Sequence, residues 1–196
     1  MDDLIRKNNE AAAHYQSDRR GFLKHGLLFT AALGFWNPTL ARADNAPVKK
    51  GRVMEFTNLH THETFKGEYW YDGEYIPGAF GEIKTVLRDY RTGDKFPIDP
   101  RLMDILYVLQ RRLDNSAAFN VFSGYRSPQT NNMLRETTNG VARGSLHMQG
   151  QAMDINLPGT SLSTLHRAGI RLRSGGVGYY PSSDFVHVDT GRVRNW

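Results

Sequence analysis

The chain has 196 residues, of which 39% are apolar, carries no cysteine, and has a formal net charge of +5. Without cysteine, a disulfide framework and a cysteine-built structural zinc site are both excluded. The basic residues are scattered and no recognition motif accompanies them, so nucleic acid is not an expected partner.

Residues 1–43 read as an export signal. Arg19-Arg20 stand directly ahead of Phe22-Leu23-Lys24, an apolar run follows from Gly26 to Trp36, and Ala41-Arg42-Ala43 offers small residues where a signal peptidase inspects the chain. The paired arginines point to the Tat export machinery, with cleavage after Ala43 and a periplasmic destination. The apolar run falls short of the ~20 residues of a spanning helix, so no stable membrane insertion is expected after cleavage. Losing the signal leaves 19 basic residues against 16 acidic ones, a mild +3 that weakly favours a polyanionic wall.

Residues 44–51 read as a flexible lead-in, and residues 52–196 have the size of one domain. Arg52 to Tyr75 alternates aromatic and β-branched residues with polar ones, a strand pattern, and Asp72-Gly73 suits a two-residue hairpin turn. His60 and His62 fall inside this region, where residues two apart share a strand face; a minor role for His60 in lining the cleft is expected over a second metal site. Ala79 to Tyr90 has helical spacing, and Asp99-Pro100 opens a second helix whose apolar stripe runs through Leu102, Ile105, Leu106, Leu109 and Leu113. Phe119 to Phe122 is an expected strand, and Ser127-Pro128 starts a helix towards Thr137, which Asn139-Gly140 ends. Ala152 to Leu157 reads as a strand and Leu162 to Leu172 as a helix on which His166 faces solvent. A glycine-rich turn over 174–178 and a final strand over Phe185 to Asp189 complete the chain. The fold class is α+β: a small antiparallel sheet carries the site, with helices packed mainly on its other face.

The chemistry concentrates in Ser145-Leu146-His147 through Asp154 and in His187. Two imidazoles and one carboxylate suit a single zinc ion with an open fourth position, which makes a hydrolytic centre. Gly150 permits a tight reversal between the first two ligands, and Ala152 is small enough to sit beside a metal. Spacing alone leaves open a second reading, in which the three residues have unrelated hydrogen-bonding roles.

The run Ser145-x-His147-x-x-Gly150-x-Ala152-x-Asp154 resembles the signature of the LAS zinc metallopeptidases, the group of the D-Ala-D-Ala peptidases, lysostaphin-like enzymes and the hedgehog signalling domain. Ser123-Gly124-Tyr125-Arg126-Ser127, Gly175-Gly176-Val177-Gly178-Tyr179-Tyr180 and Phe185-Val186-His187-Val188-Asp189 are similar to the Tat-exported murein endopeptidase K type within it. The resemblance implies one zinc per chain on His147, Asp154 and His187, and hydrolysis of D-Ala–diaminopimelate or diaminopimelate–diaminopimelate cross-links in peptidoglycan. It also implies an acidic proton shuttle near His187, either Asp184 or Asp189; Asp189 can equally orient His187. Arg126 is expected to bind a substrate carboxylate or the oxyanion, with Tyr125 as an aromatic wall and Ser145 bonding to the backbone or a ligand. Two rivals remain at this level: a D,D-carboxypeptidase releasing terminal D-Ala, and a non-catalytic zinc-stabilised wall- or partner-binding domain.

Overall fold

The computed structural model describes residues 51–138 and 140–196, so the expected leader and all but Gly51 of the lead-in lie outside the described residues, as does Asn139. Among the described residues no helix is long and apolar enough to cross a membrane. The fold is α+β, built on strands β1 (Arg52–Asn58), β2 (Thr64–Tyr71), β3 (Glu74–Tyr75), β4 (Phe119–Ser123), β5 (Ala152–Asn156), β6 (Gly176–Tyr180), β7 (Phe185–Asp189) and β8 (Arg194–Asn195). Helices α1 (Pro77–Val86), α2 (Pro100–Leu113), α3 (Pro128–Thr137) and α4 (Leu162–Leu172) connect them.

The sheet is larger than the small antiparallel one expected, and it is mixed. Its eight strands run in the order β3-β2-β1-β4-β5-β7-β6-β8. β1 and β4 pair in parallel because α1 and α2 form the crossover between them, and β8 pairs in parallel with β6. The remaining pairings are antiparallel, including β4–β5 and β5–β7 at the centre. Asp72 and Gly73 both have positive φ, 52° and 97°, as the hairpin turn between β2 and β3 requires.

Alternation along the central strands decides which face is core. Phe119 and Val121 of β4, Met153 and Ile155 of β5, and Val186 and Val188 of β7 all enter one apolar cluster. Leu102, Met103, Ile105, Leu106 and Leu109 of α2 join it, as does Leu165 of α4. The α2 stripe is the expected one. Its start is also as read: the Asp99 carboxylate accepts from Arg101 N at 3.0 Å with Pro100 in the first turn. Asp99 does more, accepting from Thr190 Oγ1 at 2.8 Å and donating its own N–H to Gly150 O at 2.9 Å. The start of α2 is thereby tied to the segments flanking the predicted metal ligands.

Three local expectations differ from the structure. His60 and His62 sit in the turn after β1 and not on a strand face, because Asn58 Oδ1 accepts His60 N at 2.9 Å and draws the chain out of the ladder. The glycine-rich segment forms β6: Val177 faces the core, while Gly176 and Gly178 occupy the opposite face, where a Cβ would strike Arg194 and the Trp196 indole. His166 is half-buried, stacked on Tyr179 with ring centroids 4.8 Å apart.

Candidate metal centre

The side of the sheet away from the core carries the polar residues of the same strands. On β5 the polar residue is Asp154, with Ala152 beside it, and on β7 they are His187 and Asp189; Asp154 and His187 are direct partners in the ladder. A short 3-10 turn over Leu146–Gln149 brings His147 to them. Gly150 ends that turn with φ +63°, and a Cβ there would lie 2.1 Å from Pro97 O, so no other residue fits without displacing backbone.

Three candidate ligand atoms converge. His147 Nε2 lies 3.3 Å from Asp154 Oδ1 and 3.3 Å from His187 Nδ1, and His187 Nδ1 lies 2.9 Å from Asp154 Oδ1. Ligands at the usual ~2.0–2.1 Å around a tetrahedral zinc stand roughly 3.3 Å apart, so the spacing matches three corners of such a site. All three side chains are buried, and they form a compact group able to hold a metal ion.

The far nitrogens explain why the near ones are available. His147 Nδ1 donates to Gly124 O at 2.7 Å, and a carbonyl can only accept, so Nε2 keeps its lone pair. His187 Nε2 donates to Asp189 Oδ2 at 3.1 Å, so Nδ1 is the nitrogen turned to Asp154, and it becomes an acceptor once its proton is lost. With that proton displaced, the three atoms present their lone pairs to one point, and this donor set fits zinc.

The electrostatics agree. Burial opposes a charge on Asp154, but the adjacent His147 and His187 outweigh it and hold the carboxyl well below the usual range. Burial by itself would lower His187, yet Asp154 and Asp189 raise it to about 9. His147 is pushed down, chiefly by burial, with His187 and Arg126 acting in the same direction against Asp154. Metal entry therefore displaces a proton from His187 and is favoured as pH rises.

Asp189 is fully buried and locked. Gly176 N and Gly191 N each donate to its Oδ1 at 2.9 Å, and Arg194 grips both oxygens at 3.1 and 2.7 Å. Burial would raise its pKa, but these donors and His187 hold it well below the usual carboxylate range. Trp196 completes the wall, 5.3 Å from the His187 ring and donating Nε1 to Tyr180 Oη at 2.8 Å.

A cleft of about 690 Å³ opens over the three residues. Arg126 lines it, its Nη2 3.7 Å from Asp154 Oδ2 and 3.5 Å from Ser123 Oγ. Burial lowers the Arg126 pKa, and Asp154 works against that fall. Ser145 also lines the cleft and accepts Met148 N through its backbone carbonyl at 3.1 Å. His60 lines it too, as expected for its minor role.

Two predicted residues are not brought to the cluster. Tyr125 is buried behind the loop, its ring 5.1 Å from Phe96, and is no part of the cleft lining. Asp184 is exposed, and its left-handed φ of 56° turns the carboxylate to Asn156 Nδ2 at 2.9 Å, outside the lining. Arg194 and Trp196 were missed in the sequence. The signal was the period-2 run Gly176-Val177-Gly178, whose bare face needs something to cover it.

Comparison with known proteins agrees with this geometry. The family model described as peptidoglycan L,D-endopeptidase MepK matches residues 46–196. The peptidoglycan L,D-endopeptidase MepK of Escherichia coli K12 is 40% identical over 182 residues, covering 93% of this chain and 98% of the relative, and that of Shigella flexneri gives the same figures. The probable peptidoglycan L,D-endopeptidase MepK of Haemophilus influenzae is 39% identical over 148 residues, 75% of this chain and 80% of its own length. With the match spanning the fold, the three converging side chains and the residues that orient them, the chain belongs to the peptidoglycan L,D-endopeptidase MepK family.

Proposed function

We propose that this protein is a zinc-dependent murein endopeptidase that cuts the L,D cross-link between two diaminopimelate residues. The observation that carries the reading is the convergence of His147 Nε2, Asp154 Oδ1 and His187 Nδ1 within 2.9–3.3 Å, with both imidazoles set from behind. An L,D bond has its acyl group on an L centre and its nitrogen on a D centre. Diaminopimelate–diaminopimelate meets that description, whereas D-Ala–diaminopimelate joins two D centres, so the relatives' names favour the former.

His147, Asp154 and His187 would hold the zinc. When bound, the metal supplies Lewis acidity towards the scissile carbonyl and activates water near neutral pH. Arg126 binds the free carboxylate beside the scissile nitrogen through its paired N–H groups and adds positive charge where the oxyanion develops. Asp189 keeps His187 turned inward. Ser145 borders the substrate. For Asp184 to accept a proton in the reaction, its carboxylate must leave Asn156.

The twin arginines Arg19-Arg20 and the apolar run after them support Tat export, cleavage after Ala43 and action on the wall from the periplasm. The test is digestion of purified cross-linked muropeptides by the zinc-loaded protein, beside His147→Ala and a chelated sample. Dimers converted to monomers, with activity down by on the order of a thousandfold or more in both controls, is the expected result. Release of free D-Ala with dimers intact would replace it with a carboxypeptidase. Intact muropeptides with zinc bound would make it a binding domain.

A further inference from the structure

The cleft holds a second cation that the proposed reaction has not used. Arg91 lines it, and its guanidinium lies 4.3 Å from the centre of the Tyr90 ring, which in turn stacks on His60 at 3.8 Å. Among the described residues Arg91 has no carboxylate partner. Arg126 lines the same cleft. Two like charges border one cleft, which favours an anion there.

The backbone holds this pair on purpose-built turns. Buried Asp89 accepts Arg91 N on Oδ1 at 2.9 Å and Ser127 N on Oδ2 at 2.8 Å, so one carboxylate fixes both arginine-bearing loops. Its charge is answered by backbone N–H groups and by Ser127 and Thr130, which leaves the Arg91 side chain to the cleft. The strand order sets the position of these loops. His60, after β1, and Phe122 and Ser123, of β4, lie on one flank of Asp154, while His187, Tyr180 and Trp196 lie on the other.

Resting on the proposed endopeptidase reading, we propose that Arg91, braced on Tyr90 and His60, forms a second carboxylate subsite that recognises the side chain of the acyl-side diaminopimelate. In a diaminopimelate–diaminopimelate cross-link two free carboxylates flank the cut. One neighbours the scissile nitrogen, and the other ends the side chain of the residue that donates the carbonyl. Arg126, beside Asp154, takes the inner carboxylate, and Arg91 takes the outer. A cross-link with D-Ala on the acyl side has only a methyl group there, so Arg91 is the specificity-determining contact for the L,D bond. An arginine fork suits a carboxylate, and a planar aromatic stack beneath it fixes its direction.

The experiment compares two diaminopimelate–diaminopimelate muropeptide dimers, one native and one with only the outer carboxylate amidated. Each is digested by zinc-loaded wild type, Arg91→Gln and Arg91→Lys, with exposed Arg111→Gln of α2 as a control for net charge. For wild type, amidation should raise KM by roughly 10- to 100-fold, as expected for a lost charge-assisted hydrogen bond, and leave kcat within about twofold. Arg91→Gln should show the raised KM on the native dimer and no further loss on the amidated one. Arg91→Lys should recover part of the difference, and Arg111→Gln should match wild type. Unchanged zinc stoichiometry and Tm in Arg91→Gln show that it folds. Wild-type cleavage with the amidation effect undiminished in Arg91→Gln, or with no amidation effect at all, overturns the subsite alone. Wild type that cleaves neither dimer overturns the endopeptidase reading and the subsite with it.

Discussion

Asp89 and Asp189 are both buried aspartates beside an arginine, yet they treat it in opposite ways. Asp189 binds its arginine directly: Arg194 contacts both oxygens, and the assembly as a whole holds His187 Nε2. Asp89 is satisfied by the N–H groups of Arg91 and Ser127, so the Arg91 guanidinium takes no carboxylate among the described residues and lies over the Tyr90 ring in the cleft. A buried carboxylate that takes a guanidinium builds a rigid support for a ligand. One that takes backbone donors builds a turn and leaves the guanidinium to the cleft. The two flanks of the candidate metal centre therefore divide the labour: the β6–β7–β8 side orients His187, and the Asp89 side presents charge.

Asp189→Ala is the strongest way to break this contrast. It frees His187 Nε2 and leaves Arg194 without its partner, so zinc affinity should fall about 10- to 100-fold, read by competition with a chromogenic chelator. Unaltered affinity would show that the ring is held by β5, β7 and Trp196 alone.

Asp89→Asn should behave differently. It turns an amide N–H₂ towards backbone donors, and about 1–3 kcal/mol of stability should be lost in denaturant titrations while zinc affinity stays as in wild type. The pH dependence sharpens this. Burial would raise Asp89, but Thr130, Ser127 and Arg91 hold it below the usual range in the folded protein. A depressed folded pKa stabilises fully above the unfolded value of about 3.9 and less as pH falls through the folded value. The stability gap between wild type and Asp89→Asn should therefore close in acid. A gap that widens there would assign Asp89 a neutral role.

The smallest expected effect is at Asp184. With its carboxylate held by Asn156 outside the cleft lining, Asp184→Asn should keep kcat within about twofold across neutral pH. A loss of on the order of a hundredfold would make Asp184 the general base and require the segment at 181–184 to move during turnover.

Much of this architecture was legible from one chain. The apolar stripe of α2, the Asp99-Pro100 start, the Ser127-Pro128 start and the Asp72-Gly73 hairpin are local signals, set by helical or strand period and by side chains that bond within a few residues. Alternation on β5 and β7 likewise put Asp154 and His187 opposite the core face, and Gly150 marked the reversal that brings in His147. Resemblance supplied the pairing of these residues as ligands.

What local pattern did not decide was which charge meets which. Asp184 and Asp189 stand near His187 in the chain, but a left-handed turn sends one to Asn156 and the sheet buries the other against Arg194. Tyr125 follows Gly124 directly, yet the loop turns it onto Phe96. Arg91 and Arg126, 35 positions apart, share a cleft because Asp89 clamps both loops. Strand period and helix caps are properties of neighbours in sequence and survive in any packing. The partners of a buried charge are chosen by strand order and turn geometry, and only the folded sheet specifies those.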